Sequence, residues 1–121
     1  MKRYVISFGA TAMDHIPEED MPAVAAAAHG VVADALRAGV YLFSGGPENQ
    51  RATVVASDGT VTDGPYPEAI GEAMIVAVPS RDEAIEWARR IAAACRCPQE
   101  VREFGQDPEL DILLGQVWSS H

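Results

Sequence analysis

Apolar and polar positions alternate from Arg3 to Phe8, with Tyr4, Ile6 and Phe8 on one face and Val5 and Ser7 on the other. That period of two, ended by Gly9, predicts a first strand. Residues 11–17 read as a loop. Pro17-Glu18-Glu19-Asp20 suits a helix start, with proline in the first turn and acids at the positive end of the dipole. The period then lengthens: Met21, Val24, Ala28, Val32 and Leu36 form a stripe at helical spacing, and Gly39 supplies a stop. Val40 to Ser44 reads as a second strand, closed by Gly45-Gly46-Pro47. Residues 52–56 and 60–62 flank Asp58-Gly59, the signal for a hairpin with a two-residue loop. Glu72 to Val78 is a strongly apolar strand. Ser80-Arg81-Asp82-Glu83 has the spacing of a capping box, opening a helix with Ala84, Trp87, Ala88 and Ile91 on one face. Pro98 ends that region, Glu100 to Phe104 reads as a last strand, and Asp107-Pro108-Glu109 starts a short helix through Leu114.

The order β-α-β-(hairpin)-β-α-β predicts an α+β, ferredoxin-like fold: an antiparallel sheet with two helices on one face. The first strand and the Glu72–Val78 strand are expected at its centre. The run Ala73-Met74-Ile75-Val76-Ala77-Val78 is apolar on both faces, whereas a half-solvated antiparallel sheet should alternate. Two helices cover one face only. A second copy of the same sheet is the simplest cover for the other, so a homodimer joined sheet to sheet is expected. Residues 1–105 read as one domain and 106–121 as a C-terminal extension.

A length of 121 residues suits one domain able to bury roughly two-thirds of its unfolded surface. The net charge of -9 repels phosphate backbones and anionic lipid, so no nucleic-acid or membrane partner is expected. No apolar run reaches the roughly 20 residues that span a bilayer. The apolar segment after Met1-Lys2-Arg3 is too short for a secretory signal, which leads to an expected cytoplasmic location. Cys95 and Cys97, without further cysteine or a nearby histidine, make a poor metal site and read as free thiols. No phosphate loop or hydrolase elbow occurs, and no metal or cofactor is called for.

The stretch from Ser57 to Glu68 joins the hairpin to an Asp63-Gly64-Pro65-Tyr66 corner with Glu68 behind it. With the opening strand, Ala38-Gly39-Val40 leading to Gly45-Gly46, the Asp58-Gly59 hairpin and Asp82-Glu83-Ala84-Ile85-Glu86-Trp87-Ala88, this corner resembles the YCII-related family in its Asp-Gly-Pro-Phe subgroup, over about residues 2–104. Tyr66 stands where phenylalanine is usual. The turn at Ala69-Ile70-Gly71 is shorter than in relatives and lacks their lysine. The resemblance implies a dimeric α+β barrel. It also implies a His–Asp pair in a small-molecule cleft, in some relatives with lyase chemistry.

The candidate chemistry gathers on seven residues. Asp63 either pins the corner by accepting backbone N–H bonds or serves as an acid or base beside a cleft. His15, in the first loop, and His29, at the edge of the helical stripe, are the other catalytic candidates, each with a structural alternative. His29 and Asp34 lie about 140° apart round a helix and do not share a face, so no direct dyad within one chain is expected. Ser44, Arg51, Tyr66 and Glu68 are candidate ligand contacts. Two functions stand side by side. One is a cytoplasmic protein binding a small organic molecule, with cofactor-free acid–base chemistry of lyase or isomerase type. The other is a non-catalytic ligand-sensing or partner-binding module.

Overall fold

The computed structural model describes residues 1–48, 50–63 and 70–118. Strand β1 (Lys2–Gly9) is followed by a 3₁₀ turn at Glu18–Asp20, helix α1 (Met21–Arg37) and strand β2 (Tyr41–Gly45). A small hairpin of β3 (Val54–Val55) and β4 (Val61–Thr62) leads to β5 (Ile70–Val78), α2 (Arg81–Cys95), β6 (Glu100–Glu103) and α3 (Pro108–Trp118). The chain is an α+β protein. Four strands form one antiparallel sheet in the order β2-β5-β1-β6, with the apolar pair β1 and β5 at its centre; β3 and β4 pair separately.

Strand parity builds the core. Tyr4, Ile6 and Phe8 of β1 and Met74, Val76 and Val78 of β5 are all buried on one face. Register pairs Tyr4 with Val76 and Ile6 with Met74, so these six side chains form one continuous layer. Val24, Val31 and Ala35 of α1 are buried, as are Ala84, Ala88, Ile91, Ala94 and Cys95 of α2; all but Val24 join one cluster with that strand layer. Each fully buried valine-sized side chain contributes about 1.5–3 kcal/mol relative to exposure. Ser80 caps α2 by accepting the Glu83 N–H at 3.3 Å, as its spacing predicts. The helix ends at Arg96, whose φ of 56° places a non-glycine residue in the left-handed region.

Three details depart from the sequence pattern. Leu36 is 60% exposed, and the buried line of α1 runs Val24, Val31, Ala35, with Ala28 half-buried between them. Steps of four residues drift by about 40° each, so Leu36 lies about 120° from Val24 round the helix and Ala35 only about 20°. The hairpin is not a two-residue loop. The Gly59 N–H donates to the Ala56 carbonyl at 2.9 Å and the Ala56 N–H to the Thr60 carbonyl at 2.8 Å, a three-residue loop in which Gly59 takes φ 91°. The Asp58 carboxylate accepts the Thr60 N–H at 2.9 Å, which holds its pKa below the usual carboxylate range and fixes the turn without a positive φ at Asp58. The third departure is length: α3 runs past Leu114 to Trp118.

The face of the sheet away from α1 and α2 carries a row across all four strands: Phe43, Ile75, Val5 and Arg102. Phe43 is 64% exposed, and Val5 and Ile75 are half-buried. The Arg3 guanidinium forms an ion pair with Asp111, tying α3 to β1. Leu110, Ile112 and Leu113 of α3 are exposed. No described helix is long and apolar enough to cross a membrane.

Candidate functional site

A cavity of about 410 Å³ lies between α1 and the end of the sheet where β1 stops and β5 begins. Its walls are mainly apolar: Ile6 and Phe8 from β1, Val24, Ala28 and Val32 from α1, and Met74 from β5. Met13 and Met21 add two unbranched thioethers, side chains that adjust to irregular contents. Polar groups enter from three elements. His29 comes from α1, Ser44 from β2 and Glu72 from β5, while Cys95 and Gln99 approach from the end of α2 and the segment after it. An apolar cavity of several hundred cubic ångströms with a few convergent polar groups is the general form of a small-molecule site.

Local structure explains how each group arrives. Glu72 is opposite Phe8 and two residues before Met74, so alternation puts it on the helix-covered face, at the open end of β5. Ser44 reaches that face through a bulge. Tyr41 pairs with Val76 but Phe43 with Ile75, so one extra residue in β2 resets the alternation. Tyr41 and Ser44, three apart and on opposite faces in a regular strand, then share a face, and their hydroxyls meet at 2.6 Å. His29 is exposed on α1 beside half-buried Ala28, at the cavity rim.

Gly71 and Gly46 let the backbones close this end of the sheet. A Cβ on Gly71 would lie 2.5 Å from the Gly9 carbonyl oxygen, and one on Gly46 would lie 2.7 Å from that of Gly71.

The cavity thiol is not an activated nucleophile. Cys95 is 2% exposed, and burial first, then the Glu72 charge and Cys97, push its pKa from 9.0 up to about 11. Burial and Glu72 push Cys97 up as well, partly offset by the Gln99 amide. At neutral pH both are thiols, and nucleophilic catalysis requires thiolate. His29 and Glu72 are left as the acid–base groups of the cavity. Among the described residues no three histidine, cysteine, aspartate or glutamate side chains gather closely enough to hold a metal ion.

The sequence-predicted residues divide. His29 and Ser44 line the cavity together. His15 does not. Its Nε2 lies 2.8 Å from the Arg96 carbonyl oxygen, and the Arg96 guanidinium bonds Asp20 at 2.8 Å, so the two contacts strap the first loop and the 3₁₀ turn to the left-handed end of α2. Asp63 and Arg51 are exposed and do not line the cavity. Tyr66 and Glu68, with the rest of the corner from Gly64 to Ala69, lie outside the described residues. Asp34 is engaged by Arg90 of α2 and by Arg37; these bonds hold its pKa below the usual carboxylate range, and the Arg90 bond joins the two helices. Glu72, Cys95 and Gln99 are additions from the structure. The strand period was enough to find Glu72; no local pattern marks Gln99.

No family model matches the chain, and no curated protein matches it significantly.

Proposed function

We propose that this chain binds a small organic molecule in the cavity between α1 and the sheet, and that His29 exchanges a proton with it in a cofactor-free lyase or isomerase reaction. The observation that carries this reading is the convergence of His29, Ser44 and Glu72 from three different elements on one largely apolar cavity. Histidine can give and take a proton near neutral pH. Glu72 stabilises positive charge developing nearby, and the Tyr41–Ser44 hydroxyl pair offers a hydrogen bond that orients the ligand. A non-catalytic sensor is the second reading. Its support is the exposure of both His29 and Glu72, since a rim open to water forgoes the strengthening of electrostatics that a closed site provides.

Assembly belongs to the same proposal. The strand order, with β1 and β5 central, supports a ferredoxin-like unit of the YCII-related kind. The apolar row Phe43, Ile75, Val5 supports a second copy packing on the uncovered face. The two free thiols fit a reducing compartment such as the cytoplasm.

Thermal shift across a metabolite panel, followed by product detection for each stabilising compound, is the direct test. His29→Gln should melt within about 0.5 kcal/mol of the parent, as exposed substitutions do. It should retain binding and lose conversion by about 10²-fold or more. Conversion undiminished in His29→Gln refutes the catalytic role; a panel without any stabilising compound counts against the site itself.

A further inference from the structure

We infer that the cavity selects an apolar molecule carrying a cationic, ammonium-type head and rejects carboxylates and phosphates. The inference rests on the reading of this cavity as a ligand site and names the ligand's charge. All nine lysines and arginines of the chain lie among the described residues, and none lines the cavity. Six of them are held in ion pairs elsewhere: Arg3 with Asp111, Arg37 and Arg90 with Asp34, Arg89 with Glu86, Arg96 with Asp20 and Arg102 with Glu100. Lys2, Arg51 and Arg81 are exposed on the surface. An anionic head moving inward from the open rim would lose water without finding a lysine or arginine.

The groups that do line the cavity favour the opposite charge. Glu72 is the one acid among its described lining residues, and its charge adds to burial in raising both thiols. Gln99 spends its amide nitrogen on Cys97, 3.4 Å from the carbonyl oxygen and 3.5 Å from Sγ, which leaves its acceptor end for a ligand. Ser44 and Tyr41 share one hydrogen bond in which either hydroxyl can donate, and Ser44 Oγ keeps a lone pair to offer. A carboxylate and neutral acceptors facing an apolar, methionine-containing wall match an ammonium group on a hydrocarbon body.

Methionine methyl groups report occupancy directly. Met13, Met21 and Met74 line the cavity, whereas Met1 is 80% exposed and serves as an internal control. The full chain with carbon-labelled methionine methyls is titrated by NMR at neutral pH and low salt with three probes of one shape: cyclohexylmethylamine, cyclohexylmethanol and cyclohexanecarboxylate. The amine should shift the three cavity methyls and not Met1, and should bind about tenfold or more tightly than the carboxylate, with the alcohol between them. Glu72→Gln, an exposed and conservative change, should narrow the amine-to-carboxylate ratio by up to about fivefold. A carboxylate binding as tightly as the amine overturns the charge preference while leaving a ligand site. Equal binding of amine and alcohol, unmoved by Glu72→Gln, also overturns it. If no probe moves the three methyls, the ligand site and its charge preference fall together.

Discussion

Two glycine-to-alanine changes should move stability in opposite directions. Gly71 sits where β5 meets the irregular end of β1. An added Cβ there would stand 2.5 Å from the Gly9 oxygen, and 2.9 Å from both the Gly9 carbonyl carbon and Phe8 Cδ2. Ordinary contact begins near 3.4 Å, so the two backbones must part by most of an ångström. Two of the three atoms are main chain in a paired strand and cannot rotate away. Overpacking of this kind costs about 1–3 kcal/mol. Gly30 is the opposite case: it lies inside α1, exposed, with nothing within 4 Å of its added Cβ. Alanine there should gain about 0.8–1 kcal/mol of helix propensity. For a domain this size the unfolding entropy is about 0.25 kcal/mol/K, so each kilocalorie moves Tm by about 4 °C. Gly71→Ala should therefore melt about 4–12 °C lower, and Gly30→Ala about 3–4 °C higher, at one fixed protein concentration. Circular dichroism melts, checked by calorimetry, measure both. A Gly71→Ala protein that melts at or above the parent temperature would refute the close approach of β5 to Gly9, and with it this end of the cavity.

The assembly proposal predicts a dimer by sedimentation at micromolar concentration, with Ile75→Asp folding as a monomer and Val76→Asp failing to fold. Val76 is fully buried under the helices, where an unpaired carboxylate costs several kcal/mol, whereas Ile75 faces the uncovered side; a folded Val76→Asp protein would contradict the layer assignment. Cys95 should resist iodoacetamide at pH 8 in the native state and react freely in denaturant. Its folded pKa is raised, so the native state holds the proton longer than the unfolded chain, and the stability that this thiol contributes is present below pH 9.0 and is lost as pH rises towards about 11. Stability that rises over that window would have the sign wrong. Asp63→Asn should leave Tm and cavity binding unchanged, because Asp63 is exposed and does not line the cavity; loss of binding with an unchanged melt would return Asp63 to the site.

The architecture was readable because its signals are local. Alternation in β1, the capping box at Ser80, and the two-faced apolarity of residues 73–78 each mark an element, and together they put β1 and β5 at the centre of the sheet. Where the reading slipped, the cause was accumulated geometry. A stripe of four-residue steps looks helical on paper but rotates off the core by the third step, which strands Leu36 in solvent. Asp58-Gly59 announces a turn, yet the Asp58 side chain bonded to Thr60 selects a loop that needs only one glycine conformation.

The candidate site was legible only in part, for a related reason. The Asp63 corner is marked by resemblance and loop chemistry, both of which act along the chain. The cavity is instead assembled across it, by residues that strand parity and one bulge deliver to the helix-covered face. His29 borders the apolar stripe of α1 and Ser44 ends β2, and both line the cavity, although regular alternation would have turned Ser44 away from Tyr41. Glu72 reads in the sequence only as the first residue of an apolar strand. Its alternation with Met74, Val76 and Val78 already assigned it to the buried side. An acidic residue at the mouth of a strand on the core-facing parity is costly unless water or a ligand meets it. Glu72 is exposed, so water meets it there, and strand parity rather than any motif brings it to the cavity.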